Sequence, residues 1–445
     1  MATNLRLLFR WLFALLAVVL LLQISGYLSA LHRVLRLPSN AEHPVVDLGY
    51  ATYRGEYVYG RYTRFLGLRY AAPPLGSLRW RSPAPPPVLS GIQQATSPPA
   101  QCPQGMLGTR RVNPFIEASH SILPHARRTP VNGDTSEDCL LLNVYAPLDF
   151  AGKALPVIVF IHGGGYLGGR GDASGQDLLE ESDDGVVVVA IQYRLGIFGF
   201  LAGQAIKDSG ALNAGLLDQQ AALQWVQTHI SQFGGDPARV TLWGQSAGAG
   251  SVLQQVIAND GKTSPPLFKR SIASSAYMPS QYLYNDPIPE FWYRKVVESA
   301  GCSSASDTLS CLRHRPTHEL QRVNAEMTGL AMEGTANFVP VVDGSFIKNS
   351  PVNALSQGKT NGDAMLVTTL TNEALQFVPP DPRRTIEDYV RGMYPHLSDK
   401  NVQEAVQLYS SFGGQYRGTV AVVNESIFLC AAYHLLKAFS GRAWK

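Results

Sequence analysis

The chain reads as an α/β protein: a central, mostly parallel sheet with helices on both faces and an antiparallel extension at the N-terminal end. Three observations carry that reading. The apolar run Val240–Trp243 enters Gly244-Gln245-Ser246-Ala247-Gly248, and a helix-like run, Ser251–Ala258, leaves it. A second apolar run, Pro156–Ile161, leads into His162-Gly163-Gly164-Gly165-Tyr166, and its unbroken hydrophobicity suits a strand covered on both faces. From Leu140 onward, strand-like and helix-like segments alternate, as in a layered α/β sheet.

The bulk numbers fit one large domain. The 445 residues are 45% apolar and 16% charged, ample for a core. The 37 basic and 34 acidic residues leave a net charge of +3, which gives no reason to expect a nucleic-acid partner. Residues 1–40 stand apart. Arg6 and Arg10 precede an uncharged stretch from Trp11 to Leu31, long enough to span a bilayer and equally suited to a cleavable signal peptide. Signal or anchor, it places residues 41–445 in the secretory pathway, secreted or membrane-anchored with the domain extracellular. The five cysteines form no metal-like cluster. In an oxidising compartment Cys302–Cys311 would close a short loop and Cys102–Cys139 a long one; the alternative is five buried thiols. Asn424-Glu425-Ser426 is a glycan acceptor pattern, usable if that turn is exposed.

In chain order, Val45–Tyr59 reads as antiparallel strands, and the proline-rich Phe65–Pro87 as an extended surface segment. Cys102–Asp138 is loop-like, with Arg110, Arg111, Arg127 and Arg128 among Met106, Leu107, Phe115, Ile116 and Leu123. Leu140–Tyr145, Pro156–Ile161 and Val186–Ile191 are strands. Asp218–Phe233 is a helix ended by Gly234-Gly235. Asp286–Arg322 is mostly helical, Phe338–Asp343 and Ala364–Thr369 are later strands, and Ile427–Phe439 is helix-like.

Gly-x-Ser-x-Gly between a strand and a helix is the signature of a nucleophile elbow, a tight turn that lifts Ser246 clear of the sheet. Either glycine position would collide across the turn if it carried a side chain. Three glycines after a buried strand let backbone N–H groups converge on one point, which predicts an oxyanion hole from Gly164, Gly165 and Ala247. His162 reads as a positioning residue of that loop rather than a base.

The motifs resemble those of the type-B carboxylesterases, which include cholinesterases and secreted fungal lipases and esterases. Phe65-Leu66-Gly67-Leu68-Arg69-Tyr70-Ala71-Ala72-Pro73-Pro74 and Glu137-Asp138-Cys139-Leu140-Leu141-Leu142-Asn143-Val144 are similar to two family signatures. Asn213-Ala214-Gly215-Leu216-Leu217-Asp218-Gln219 and Phe233-Gly234-Gly235-Asp236-Pro237 match the run leading to the family's serine. The resemblance spans about Val45–Lys445 and is nearest to the secreted fungal branch. It implies an α/β-hydrolase fold, ester hydrolysis without cofactor or metal, and the disulfides Cys102–Cys139 and Cys302–Cys311. It implies a lid formed by the loop between Cys102 and Cys139, its apolar and arginine content centred on Met106–Leu123. It also implies a catalytic glutamate at Glu373, with Ala374 where the family usually has glycine. Gln245 stands where the cholinesterase branch has glutamate, so the expected substrate is a neutral small-molecule or lipid ester. The family's base is a histidine followed by glycine, further beyond the glutamate than Lys445 lies. Only His396 and His434 follow Glu373, and neither precedes glycine. The expectation is a C-terminally truncated sequence lacking the triad histidine, inactive or weakly active as given. A non-catalytic adhesion module and an incomplete fragment are the alternatives.

Overall fold

The computed structural model describes residues 43–117, 135–173, 175–381 and 383–445. The Trp11–Leu31 stretch, Leu123, Arg127 and Arg128 lie outside the described residues.

Twelve strands are described. They are β1 (Val45–Asp47), β2 (Thr52–Arg54), β3 (Glu56–Val58), β4 (Tyr62–Arg69), β5 (Ile92–Gln94), β6 (Leu141–Pro147), β7 (Leu155–Ile161), β8 (Val187–Ile191), β9 (Gly235–Gln245), β10 (Arg270–Ser274), β11 (Ala364–Thr368) and β12 (Ala443–Trp444). Nine form one sheet in the order β12-β11-β10-β9-β7-β8-β6-β4-β3; β1, β2 and β5 form a small separate sheet. Every pairing from β12 to β8 is parallel, whereas β8–β6, β6–β4 and β4–β3 are antiparallel. The fold is that of an α/β-hydrolase with an antiparallel end. β8 is Val-Val-Val-Ala-Ile and buried at every position, as a strand covered on both faces must be. Between β8 and β9 the helix Ala214–His229 crosses the sheet, and a short 3₁₀ turn, Ile230–Phe233, ends it at Gly234.

Two expected elements differ. Phe65–Arg69 belongs to β4 inside the main sheet, with Phe65 and Leu68 fully buried, so the prolines further on did not keep this stretch at the surface. Phe338–Asp343 forms no named strand; its only ladder contact among the described residues is an isolated bridge, Leu283–Val342. Pro340 withholds a donor from any ladder there. Asn213 secures the segment instead: its amide donates to Val341 O at 2.9 Å and to Asp343 Oδ2 at 2.5 Å, and its Oδ1 accepts from Val341 N at 2.9 Å.

Buried ion pairs account for the long motifs. Arg79 holds Glu137 with two bonds of 2.6 and 2.7 Å and donates to Arg313 O and Arg315 O. Arg69 holds the adjacent Asp138 in the same geometry, at 2.6 and 2.9 Å, though this pair is half-buried and weaker in consequence. Arg194 grips Asp218, on the helix that precedes the elbow strand, at 2.6 and 2.7 Å. Removing one partner of such a buried pair typically costs 3–5 kcal/mol, ~4 being a fair expectation, because the other charge is left without water. Both disulfides are formed, Cys102–Cys139 and Cys302–Cys311, and Cys430 is a free, exposed thiol.

Candidate active site

β9 ends at Gln245, and the helix Ala247–Ile257 begins two residues later, so Ser246 makes the whole turn. Its backbone sits at φ 57°, ψ −124°, a conformation that costs an L-residue about 1–3 kcal/mol. Packing imposes it. A Cβ on Gly244 would overlap the carbonyl oxygen of Gly248, and a Cβ on Gly248 would overlap that of Ile161 at the end of β7. Ser246 N–H donates to Ser274 O at 2.9 Å, tying the turn to β10. The Ser246 hydroxyl makes no hydrogen bond among the described residues.

The triple glycine turns directly beneath. Gly164 and Gly165 lie at φ 107° and 66°, conformations open to glycine, and a Cβ on Gly163 would come within 3.0 Å of the Ser246 Cβ. The N–H groups of Gly164 and Gly165 donate to no group among the described residues, and Ala247 N–H heads a helix whose first donors are unpaired. Three unspent amides therefore lie on the elbow and on the glycine loop that packs against it, donors of the kind a developing anion needs.

His162 stands behind this loop. Its ring stacks on Tyr193 at 4.5 Å, and Nδ1 lies 2.9 Å from Gly163 O, so Nδ1 carries the proton and donates. Burial pushes its pKa down to about 4. A neutral, wedged imidazole of this kind is suited to positioning the loop rather than to taking a proton.

Glu373 occupies a turn five residues past the end of β11. Only β10 separates β11 from β9, so Ser246 and Glu373 share the C-terminal rim of the sheet. Glu373 is buried, and Oε1 accepts from Leu370 N at 2.7 Å, while Oε2 takes no hydrogen bond among the described residues. The turn hangs on one side chain: Asn424 Oδ1 accepts from Glu373 N at 3.0 Å. Phe377 stacks on Phe428 beside it, with ring centroids 5.7 Å apart. Sequence reasoning missed Asn424 as a support; its only local signal was the glycan pattern. That pattern is not an exposed turn. Asn424–Leu429 is a π-helical segment in which Glu425 accepts from Tyr409 OH and Ser426 bonds Tyr394 OH.

No histidine is hydrogen-bonded to Ser246 or Glu373 among the described residues. His396 Nε2 lies 3.0 Å from both carboxylate oxygens of Asp286, with Phe115 and Tyr282 edge-on to its ring. His434 is half-buried on the helix Cys430–Ala438.

A cleft of about 1040 Å³ of empty space, partly open to solvent, begins next to the elbow. Phe200, Tyr277, Trp292, Phe338, Phe377 and Phe428 line it, and Tyr277 N–H reaches Ser246 O at 3.3 Å. The loop after Cys102 borders it through Asn113, and a Cβ on Gly165 would meet Leu107 at 3.3 Å. Its first limb is more tightly held than a free lid: Gly108, Thr109 and Arg110 donate to Thr335, Gly329 and Ala331.

An elbow serine over unpaired amides, on a largely parallel sheet, defines an α/β-hydrolase. The sequence pattern of the carboxylesterase family matches residues 42–423, and the chain belongs to that family. It is 35% identical to carboxylesterase patB of Aspergillus clavatus over 74% of this chain and 65% of that protein. It is 38% identical to secreted lipase 1 of Botryotinia fuckeliana over 66% of this chain and 53% of that one. The solved structure of Aspergillus niger EstA superposes with a TM-score of 0.78 at 34% identity, covering 90% of this chain and 75% of EstA. The chain thus spans between half and two thirds of the length of these two curated relatives.

Proposed function

We propose that this chain carries the acyl-transfer site of a carboxylic ester hydrolase acting on neutral acyl esters. Ser246 Oγ attacks the ester carbonyl and passes its proton to an imidazole oriented by the open oxygen of Glu373. The amides of Gly164, Gly165 and Ala247 hold the oxyanion. The alcohol leaves with that proton, and water then releases the acid. The observation that carries the reading is the strained serine poised over three unspent N–H groups. The aromatic cleft and the uncharged, exposed Gln245 beside the serine favour neutral acyl chains.

Among the described residues no imidazole completes this arrangement, and we expect the 445-residue protein to turn over p-nitrophenyl esters barely at all. An oxyanion hole and binding alone leave about 10³–10⁴-fold over water. A fluorophosphonate should label Ser246 slowly, and Ser246→Ala not at all. Appending a His-Gly-bearing C-terminal segment from a relative such as EstA should restore both activities. Fast turnover by the chain as it stands, lost in His396→Ala or His434→Ala, would assign the base to one of those residues instead.

A secretory route is the companion proposal, supported by the two disulfides, the uncharged Trp11–Leu31 stretch and the secreted lipases among the relatives. Peptide mapping of protein alkylated without reductant should leave only Cys430 modified. Recovery of all five cysteines alkylated would overturn it.

A further inference from the structure

Arg384 lies outside the site described above. It is 6% exposed and lines a second cavity, about 790 Å³ in volume and open on one side, between the loop after Cys102 and the helix Ile386–Met393. A buried guanidinium ordinarily holds a carboxylate at close range. Arg79 and Arg194 each do so, with two bonds of 2.6 and 2.7 Å. Arg384 does not. Its Nη2 donates to Arg111 O at 2.7 Å and stays 3.6 Å from Glu333 Oε2, and its buried Nη1 makes no hydrogen bond among the described residues. A buried charged donor left unpaired is costly unless something else accepts from it.

The neighbouring charges decide what that acceptor can be. Arg111 and Arg391 also line the cavity, but Arg111 pairs with Asp381 at 3.3 Å, and Arg391 pairs with Glu387 and Asp399 at 2.9 and 2.7 Å. Asp388 lines it as well and adds a negative charge. One guanidinium edge is therefore on offer, among acidic groups that would repel a dianion. The surroundings are partly apolar: Val112 and Ile116 line the cavity, and the Arg384 guanidinium sits 5.4 Å over the Tyr389 ring. Tyr389 also walls the aromatic cleft beside the elbow, and Asn113 and Gly392 line both spaces.

We propose that Arg384 anchors a carboxylate amphiphile, a fatty-acid-like monoanion, whose head accepts from the free Nη1 and whose chain runs past Asn113 and Gly392 into the aromatic cleft. The site goes beyond the ester-hydrolase reading and does not depend on it. An acid released by that reaction is a molecule of this class.

Calorimetric titration of the 445-residue protein tests it, with sodium octanoate, octanol and inorganic phosphate as probes. Octanoate should saturate one site at least roughly tenfold more tightly than octanol, the scale of a charge-assisted hydrogen bond, and phosphate should not saturate. Arg384→Met should bring octanoate down to the octanol level and leave octanol unchanged. Glu333→Gln, at a half-exposed residue, removes a competing carboxylate and should tighten octanoate roughly two- to fivefold. That variant decides the matter even if Arg384→Met fails to fold. Ser246→Ala should bind octanoate as the wild-type protein does. The proposal is overturned if octanoate binds no better than octanol, or if phosphate binds as tightly. It is equally overturned if a folded Arg384→Met keeps the wild-type affinity, if Glu333→Gln leaves octanoate unchanged or weaker, or if Ser246→Ala abolishes binding.

Discussion

The two halves of the site are built by different forces. Around Ser246 the backbone is fixed by collision: Gly244, Gly248 and Gly163 each face an atom that leaves no room for a Cβ. Around Glu373 the backbone is suspended. Among the described residues its one hydrogen bond from outside the turn comes from Asn424; Phe377 stacks on Phe428, Ala374 and Val378 reach the core, and Leu370 and Leu375 are exposed. A close-packed turn has one arrangement, whereas a hung turn follows whatever supports it. Ser246 is positioned by the sheet itself; Glu373 depends on a helical segment about fifty residues later in the chain.

Substitutions can break that contrast. The largest effect should come from Gly248→Ala, whose new methyl would overlap the Ile161 carbonyl. Urea unfolding should show a loss of at least ~3 kcal/mol, together with loss of Ser246 labelling. The contrast fails if this variant proves milder than Asn424→Ala.

Acid titration probes the same half by another route. His162 is neutral in the fold, with a pKa of about 4, and would titrate near 6.5 once unfolded. Between those values the unfolded state binds the extra proton, so stability is full above about 6.5 and falls as pH drops towards 4, by up to about 3 kcal/mol. In His162→Gln that acid limb should flatten. An unchanged pH profile would show that the ring is not held neutral.

On the acid side, Asn424→Ala should cost only ~1 kcal/mol, yet hydrogen exchange across residues 370–378 should speed up markedly. Asn424→Asp keeps an acceptor for Glu373 N–H and should retain protection. Equal exchange in all three proteins would mean the turn is held by something else. The smallest expected effect on stability belongs to the loop after Cys102. Shortening it between Ala118 and Leu123, in a protein that carries the base, should change stability by ~0.5 kcal/mol or less. The ratio of kcat/KM for long over short acyl esters should shift. Identical ratios would remove the loop from the acyl site.

The same contrast explains what the residues announced. Steric necessity writes itself into sequence as glycine, so the elbow and the triple-glycine turn were legible locally, as was the buried β7 before them. Suspension by side chains is written elsewhere in the chain. Nothing near Glu373 distinguishes it from a surface glutamate; the family resemblance singled it out, and Asn424 was read for another purpose altogether. Phe338–Asp343 misled for a related reason. Its apolar run suits a strand, but Asn213, at φ 54° before a distant helix, captures its backbone groups first. Long motifs such as Glu137-Asp138 and Asp218 were recognisable as patterns before the arginines that explain them could be paired.

The Asn424 side chain sets a matter of timing. An oligosaccharide is attached to the amide nitrogen of asparagine, and in the finished fold that amide is half-buried, its oxygen holding Glu373, with the next two side chains clasped by Tyr409 and Tyr394. On the secretory route proposed above, modification and folding would compete for one residue during synthesis. Chains that fold first withdraw the acceptor; chains that are modified first carry a bulky polar tree where the helix must seat the acid turn. A secreted population should sort itself accordingly, with the compact, protease-resistant fraction bare at Asn424 and any sugar-bearing fraction retained with the misfolded material.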